Sequence, residues 1–184
     1  MSRYEPYVPC SQRRDPLHAR IREATANDAE AIAQIEAERE GDHARDRVSK
    51  VREHIERASY PVWVAEVDGV VAGFARIAWV DGASQAARGP ARGVVTGYYL
   101  MGIIIAAAFR RRGLGRALTR VRLGWIVEQG ATAAYYLATP QNVASIALHR
   151  EFGFEELTRD IVYPGIPQRG PERALYRAFL GGRS

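Results

Sequence analysis

The sequence predicts an α/β (α+β) fold, a single sheet with helices on both of its faces. Three observations carry that expectation. Segments with apolar residues at helical spacing alternate with short runs rich in Val, Ile, Tyr and Trp. Asp68-Gly69 lies between two such runs, which is the signature of an antiparallel hairpin early in the chain. Further on, strand-like and helix-like segments take turns, and that order calls for crossover connections. With 184 residues, 47% of them apolar, there is enough material for one well-buried core.

The elements follow in chain order. Residues 1–18 are polar, proline-containing and aperiodic, and are expected to form a flexible arm ahead of a single domain spanning 19–184. A short charged strand pattern covers 19–25. Thr25-Ala26-Asn27-Asp28 reads as a helix start, because Asn and Asp side chains cap free N–H groups. The helix carries Ile32 and Ile35 inward and runs to about Glu40. A second helix over 47–57 has Val48, Val51 and Ile55 at helical spacing. Strands 62–67 and 70–80 flank the hairpin turn, and residues 82–93, rich in Gly, Ala and Arg, read as an exposed loop. Residues 94–108 form the central strand. The long helix 113–129 turns Leu118, Val121 and Trp125 inward and stops at Gly130. A strand at 133–138, a helix at 142–152 closed by Gly153, a strand at 154–163, a loop at 164–171 and a strand at 174–180 complete the order.

Composition narrows the function classes. No apolar run reaches the roughly 18 residues of a membrane span. The N-terminus lacks a signal-peptide core, so a cytoplasmic location and no membrane partner are expected. The lone Cys10 supplies neither a disulfide nor a multi-cysteine metal site, and no metal is expected. The net charge of +5 is almost all arginine, Lys50 being the one lysine. Arginine favours bidentate contact with phosphate. The basic residues are nonetheless scattered rather than interleaved with aromatics along one face, so no nucleic-acid partner is expected. Exposed aromatics permit a homodimer without requiring one.

The stretch Ile103-Ile104-Ile105-Ala106-Ala107-Ala108-Phe109-Arg110-Arg111-Arg112-Gly113-Leu114-Gly115 organises the chain. An apolar strand runs into three arginines and two glycines, and a helix opens from Arg116. The first backbone N–H groups of a helix have no partner within it, and the helix dipole adds partial positive charge there. Gly113 and Gly115 let the main chain approach a phosphate closely. The turn has neither the Lys-Ser/Thr ending of a P-loop nor the three-glycine spacing of a dinucleotide fold; it matches Arg-x-x-Gly-x-Gly from Arg110 to Gly115.

That motif, with Asn142-Val143-Ala144-Ser145-Ile146-Ala147-Leu148-His149-Arg150-Glu151-Phe152-Gly153-Phe154 after it, resembles the GCN5-related N-acetyltransferase (GNAT) superfamily. The resemblance covers about 19–180 and implies a mixed, mostly antiparallel sheet of about six to seven strands, splayed in the centre and flanked by about four helices. It also implies acetyl-CoA as acyl donor. The pantetheine arm would pair with the strand at Ile103, Ile104 and Ile105, and the diphosphate would lie on the amides of Arg111, Arg112, Gly113, Leu114, Gly115 and Arg116. Arg110 would add side-chain charge. Asn142 is a helix cap by residue type, and the family position implies a pantetheine contact there, with Ser145 one turn on. Many members carry a tyrosine where this chain has His149; an imidazole could protonate the departing thiolate.

The reaction implied is direct attack of a neutral amine on the thioester, with a backbone N–H near Ile103 polarising the carbonyl. Glu38 is the candidate base. Glu36, Asp42, Trp79, Asp81, Tyr98, Tyr99 and Asp160, with Tyr163, are expected to line the acceptor pocket. Acidic groups with aromatic walls suit a cationic small-molecule amine. The lead-in Tyr98-Tyr99-Leu100-Met101-Gly102 looks similar to antibiotic-modifying members, which points to an aminoglycoside-type acceptor, kasugamycin-like compounds included. A protein N-terminus, a polyamine or an amino acid is the same-fold alternative. A non-catalytic acyl-CoA-binding module is the alternative of another class.

Overall fold

The hairpin forms where the sequence places it, in a computed structural model that describes residues 15–41, 43–57, 59–87, 92–162 and 173–181. Strand β2 (Val62–Val67) returns as β3 (Val70–Val80) through Asp68-Gly69, both at positive φ. β1 (Arg20–Glu23) pairs antiparallel with β2, and β2 with β3. The remaining strands are β4 (Gly97–Ile105), β5 (Ala133–Ala138), β6 (Glu155–Thr158) and β7 (Ala174–Phe179). The seven-stranded sheet runs β1-β2-β3-β4-β5-β7-β6. β5 pairs antiparallel with β7, and β7 with β6. Parallel pairing of β4 with β5 is confined, among the described residues, to Tyr98↔Ala134 and Tyr99↔Tyr135. The mixed, mostly antiparallel sheet is therefore the one expected.

Among the described residues five helices accompany the sheet: α1 (Ala29–Glu40), α2 (Arg45–Arg57), α3 (Gly82–Ala87), α4 (Leu114–Glu128) and α5 (Val143–Arg150). The two-turn α3 corrects the loop expected at 82–93. Two turns are too short to show apolar periodicity, and its start is fixed by Asp81, whose carboxylate accepts from Ala83 N at 3.2 Å and Ser84 Oγ at 2.6 Å. β4 is shorter than the 94–108 strand expected, because 107–109 wind into a 3-10 turn. β6 ends at Thr158 rather than 163.

The chain divides into two compact units. The first holds the described residues up to Ile77 with Met101–Arg122, and the second Ala78–Leu100 with those from Leu123 onward. In the first, α1 buries Ala29, Ile32, Ala33 and Ile35 against Val51 of α2 and Val62, Val64, Phe74 and Ile104 of the strands. The spacing of these α1 residues puts them on one stripe. Arg22 ties β1 to this unit, donating to Asp28 through both terminal nitrogens at 2.8 Å and to Glu66 at 2.8 Å. In the second, Val80, Tyr99, Tyr135 and Leu175 form the core.

The inward stripe of α4 is rotated from the one expected. Leu114, Leu118, Arg122 and Ile126 are buried, at i, i+4 spacing, whereas Val121 and Trp125 are half-buried. The shift follows from Arg122, whose polarity hides a position that packs as core.

Candidate active site

β4 begins as a regular strand and then breaks step. Its burial alternates until Tyr99 and Leu100 are both buried and Met101 and Gly102 both exposed. Gly102 sits at φ +38, a conformation that side chains rarely adopt, so the break is a kink built on glycine. Beyond it the Ile104 side chain enters the core at 8% exposure, while Ile103 and Ile105 are half-buried. Ala106 N donates to Ala72 O at 3.0 Å and ends the strand.

The turn that follows is left-handed at two places, Arg111 at φ 66 and Gly113 at φ 88. Arg110, just before them, is extended, at φ −66 and ψ 155. α4 starts at Leu114, so the orphan N–H groups of its first turn face the same end. Leu114 is 2% exposed and anchors that turn. A Cβ added at Gly113 meets nothing within 4 Å, so the space beside it is open. Gly115 and Arg116 are half-buried in the first turn. Two of the arginine side chains bond main-chain carbonyls through Nε. Arg110 Nε donates to Ile105 O at 3.0 Å, pinning the end of β4. Arg112 Nε donates to Asp15 O at 3.2 Å.

On the first unit, Glu36 accepts from Arg76 Nη2 at 2.8 Å, with Arg47 Nη1 at 3.7 Å. A Cβ at Gly102 would lie 3.6 Å from the same Arg76 Nη2, so this guanidinium rests against the β4 kink. Glu38 lies on the exposed side of α1. Asp42 and Tyr163 fall outside the described residues.

On the second unit, Asn142 caps α5, its Oδ1 accepting from Ser145 N at 3.3 Å. His149 is 2% exposed. Its Nδ1 lies 2.8 Å from Ser145 O and 3.2 Å from Ser145 Oγ. A carbonyl only accepts, so Nδ1 carries a proton and the neutral ring keeps its lone pair on Nε2. In that tautomer the ring proton of His149 is held by Ser145 O. Its ring stacks on Tyr136 at 4.1 Å and meets Phe154 edge-on. Tyr136 also stacks on Tyr176 at 4.7 Å. Burial raises the Tyr136 hydroxyl above its ordinary pKa, and this hydroxyl has no hydrogen-bond partner.

The expected acceptor residues of this unit separate into two groups. Trp79 is 44% exposed and sits edge-on to Tyr98 at 4.7 Å, and Tyr98 sits edge-on to Trp125 at 5.6 Å. These three form an aromatic row. Tyr99, by contrast, is a core residue at 1% exposure, its hydroxyl donating to Val95 O at 2.9 Å. Asp81 is the α3 cap; hydrogen bonds from Ser84 and then Ala83 hold its carboxyl below the usual range. Asp160 pairs with Arg92 at 2.5 Å on the surface.

Sequence reasoning missed Gly102, Arg76 and Tyr136. A glycine inside an apolar strand run is the one signal that could have marked the kink. Arg76 lies half a strand from the hairpin and carries no motif. Among the described residues no helix is long and apolar enough to cross a membrane.

Comparison with known proteins gives the geometry its context. The chain is 31% identical over 105 residues to aminoglycoside N(6')-acetyltransferase type 1 of Salmonella typhimurium, a match covering 55% of this chain and 66% of that enzyme. The chain thus spans about two thirds of that relative's length. The fold is similar to that of a ribosomal-protein-alanine N-acetyltransferase from Brucella melitensis, with TM-score 0.64 and 25% identity over 86% of this chain and 98% of that one. It is also similar to a phosphinothricin acetyltransferase from Sinorhizobium meliloti solved with acetyl-CoA, with TM-score 0.65 and 23% identity over 89% of each chain. Residues 23–154 match the Acetyltransferase (GNAT) family, and the chain belongs to that family.

Proposed function

We propose that the protein is an acetyl-CoA-dependent N-acetyltransferase acting on a primary amine of a small molecule. The observation that carries this reading is the donor cradle of the first unit, a kinked β4 leading into a doubly left-handed turn at the N-terminus of α4. Beyond the kink, main-chain groups around Ile103 would pair with the amides of a pantetheine arm. The amides from Arg111 through Arg116 and the helix dipole suit a diphosphate. Asn142 and Ser145 are the expected second set of pantetheine contacts.

The neutral amine attacks the thioester carbonyl to form the C–N bond, the tetrahedral oxyanion takes a hydrogen bond from backbone N–H at the kink, a carboxylate or a water chain takes the amine proton, and the thiolate leaves as the C–S bond breaks. Glu36, paired with Arg76, and the exposed Glu38 are the carboxylates of α1 that could receive the acceptor's amine. A CoA thiolate leaves without obligatory help, which fits the tautomer of His149.

An aminoglycoside-type acceptor is the finer reading. Similarity to the Salmonella enzyme and the exposed Trp79 beside Tyr98 support it, since a flat aromatic face suits a sugar ring. Pairing of Glu36 with Arg76, and of Asp160 with Arg92, leaves fewer free carboxylates for a polycation than the sequence offered. The test is thiol release from acetyl-CoA against kasugamycin, kanamycin, spermidine, amino acids and a peptide beginning with alanine. Release accelerated by the aminoglycosides supports the finer reading; acceleration by another amine overturns it but keeps the enzyme. If no amine accelerates release while coenzyme A binds, the enzyme reading fails.

A further inference from the structure

Arg111 and Asp68 are the described non-glycine residues at positive φ. The hairpin turn accounts for Asp68. Arg111 has no such account: a residue bearing a Cβ holds φ 66 only where its surroundings over-determine it. Both of its neighbours are tied down. On one side Arg110 Nε donates to Ile105 O at 3.0 Å. On the other, Arg112 is held twice by the segment ahead of β1: Leu17 N donates to Arg112 O at 3.2 Å, and Arg112 Nε donates to Asp15 O at 3.2 Å. These two bonds, the one to Asp15 joining residues 97 positions apart, lie on the turn that the donor reading assigns to the diphosphate.

We propose that Asp15–Leu17 is part of the donor site. It clamps Arg112, holds the left-handed turn at Arg111 in place, and so keeps the turn and first-turn amides of α4 in the arrangement that receives the diphosphate. Leu17 and Arg112 are positioning residues, acting through the backbone of Arg111 rather than by touching the ligand. The Arg112 guanidinium serves the clamp through Nε, while the Arg112 amide stays part of the turn. This inference rests on the acetyl-CoA reading above.

The experiment is a double-mutant cycle read by calorimetric titration with coenzyme A. Leu17→Pro removes the N–H that donates to Arg112. In the native background it is expected to weaken coenzyme A binding about tenfold. In an Arg111→Gly background, where glycine adopts positive φ unaided, the same substitution is expected to cost less than about twofold. A general loss of stability would not be rescued in this way. Arg112→Leu, which removes the bond to Asp15, is the second arm of the cycle and carries the test should Leu17→Pro fail to fold. Equal losses in both backgrounds, or no loss in the native one, overturn the clamp. Failure of the native protein to bind coenzyme A overturns the donor reading itself, a separately visible result.

Discussion

Replacing Arg122 by methionine should stabilise the protein. Arg122 is 1% exposed on α4, and its guanidinium donates to Leu118 O at 3.3 Å, Arg76 O at 3.3 Å and Thr119 Oγ1 at 3.2 Å. These acceptors are neutral, so burial pushes Arg122 from the ordinary arginine range down to about 9. At about 1.4 kcal/mol per tenfold, that drop bounds the desolvation penalty at about 5 kcal/mol. The three long hydrogen bonds return about 1 kcal/mol each. Arg122→Met keeps the length of the side chain and discards the charge, leaving a net gain of about 1–2 kcal/mol at pH 7. The sign of the pH dependence follows. The folded state releases this proton at a lower pH than the unfolded state, so native stability rises between about pH 9 and 12, and the penalty is present in full below about 9. Urea unfolding of both proteins at pH 7 and pH 10.5 measures it. By pH 10.5 the native protein should have regained about 2 kcal/mol relative to the variant. A variant less stable by about 2 kcal/mol at pH 7, with a difference that ignores pH, would refute the reasoning.

Asp28→Asn removes the carboxylate that Arg22 holds from both terminal nitrogens and that Thr25 N caps at 2.7 Å. The loss should be about 2 kcal/mol in urea unfolding at pH 7, less than for a fully buried pair because Arg22 is partly exposed. Arg22 holds the Asp28 carboxyl below its usual range, so this stability is present above about pH 4 and is lost as the pH falls further; the variant's deficit should shrink over the same interval. Tyr136→Phe deletes a buried hydroxyl without a partner and should melt no lower than the native protein. A melting temperature more than about 3 °C lower would mean the hydroxyl has a partner in solution.

Much of the fold was legible because its elements carry local signals. Asp68-Gly69 marked the hairpin, and Ile32, Ile35, Val51 and Ile55 marked the faces of α1 and α2. The two motifs located the β4–α4 turn and the Asn142 cap, both formed by residues adjacent in sequence. What could not be read is what depends on distant partners. Nothing near Glu36 announces Arg76, forty residues away. Nothing in the sequence announces that the Arg112 side chain reaches the carbonyl of Asp15, since a backbone acceptor has no sequence signature. Tyr99 and Tyr98 are chemically alike, and only the parity of β4 decides that one is core and the other joins Trp79. Arg122 concealed the true stripe of α4 because a charged residue is seldom fully buried.

The central claim is that the turn from Arg110 to Gly115 receives the diphosphate of acetyl-CoA. Gly113 is the position to perturb, since its φ of +88 strains any other residue while a Cβ there would meet nothing within 4 Å. Calorimetric titration of coenzyme A into the native protein and into Gly113→Val measures the claim directly. The account predicts saturable one-site binding by the native protein and at least about tenfold weaker binding by the variant, a difference of about 1.4 kcal/mol. Equal affinity in the two proteins, or no binding by the native one, would contradict it.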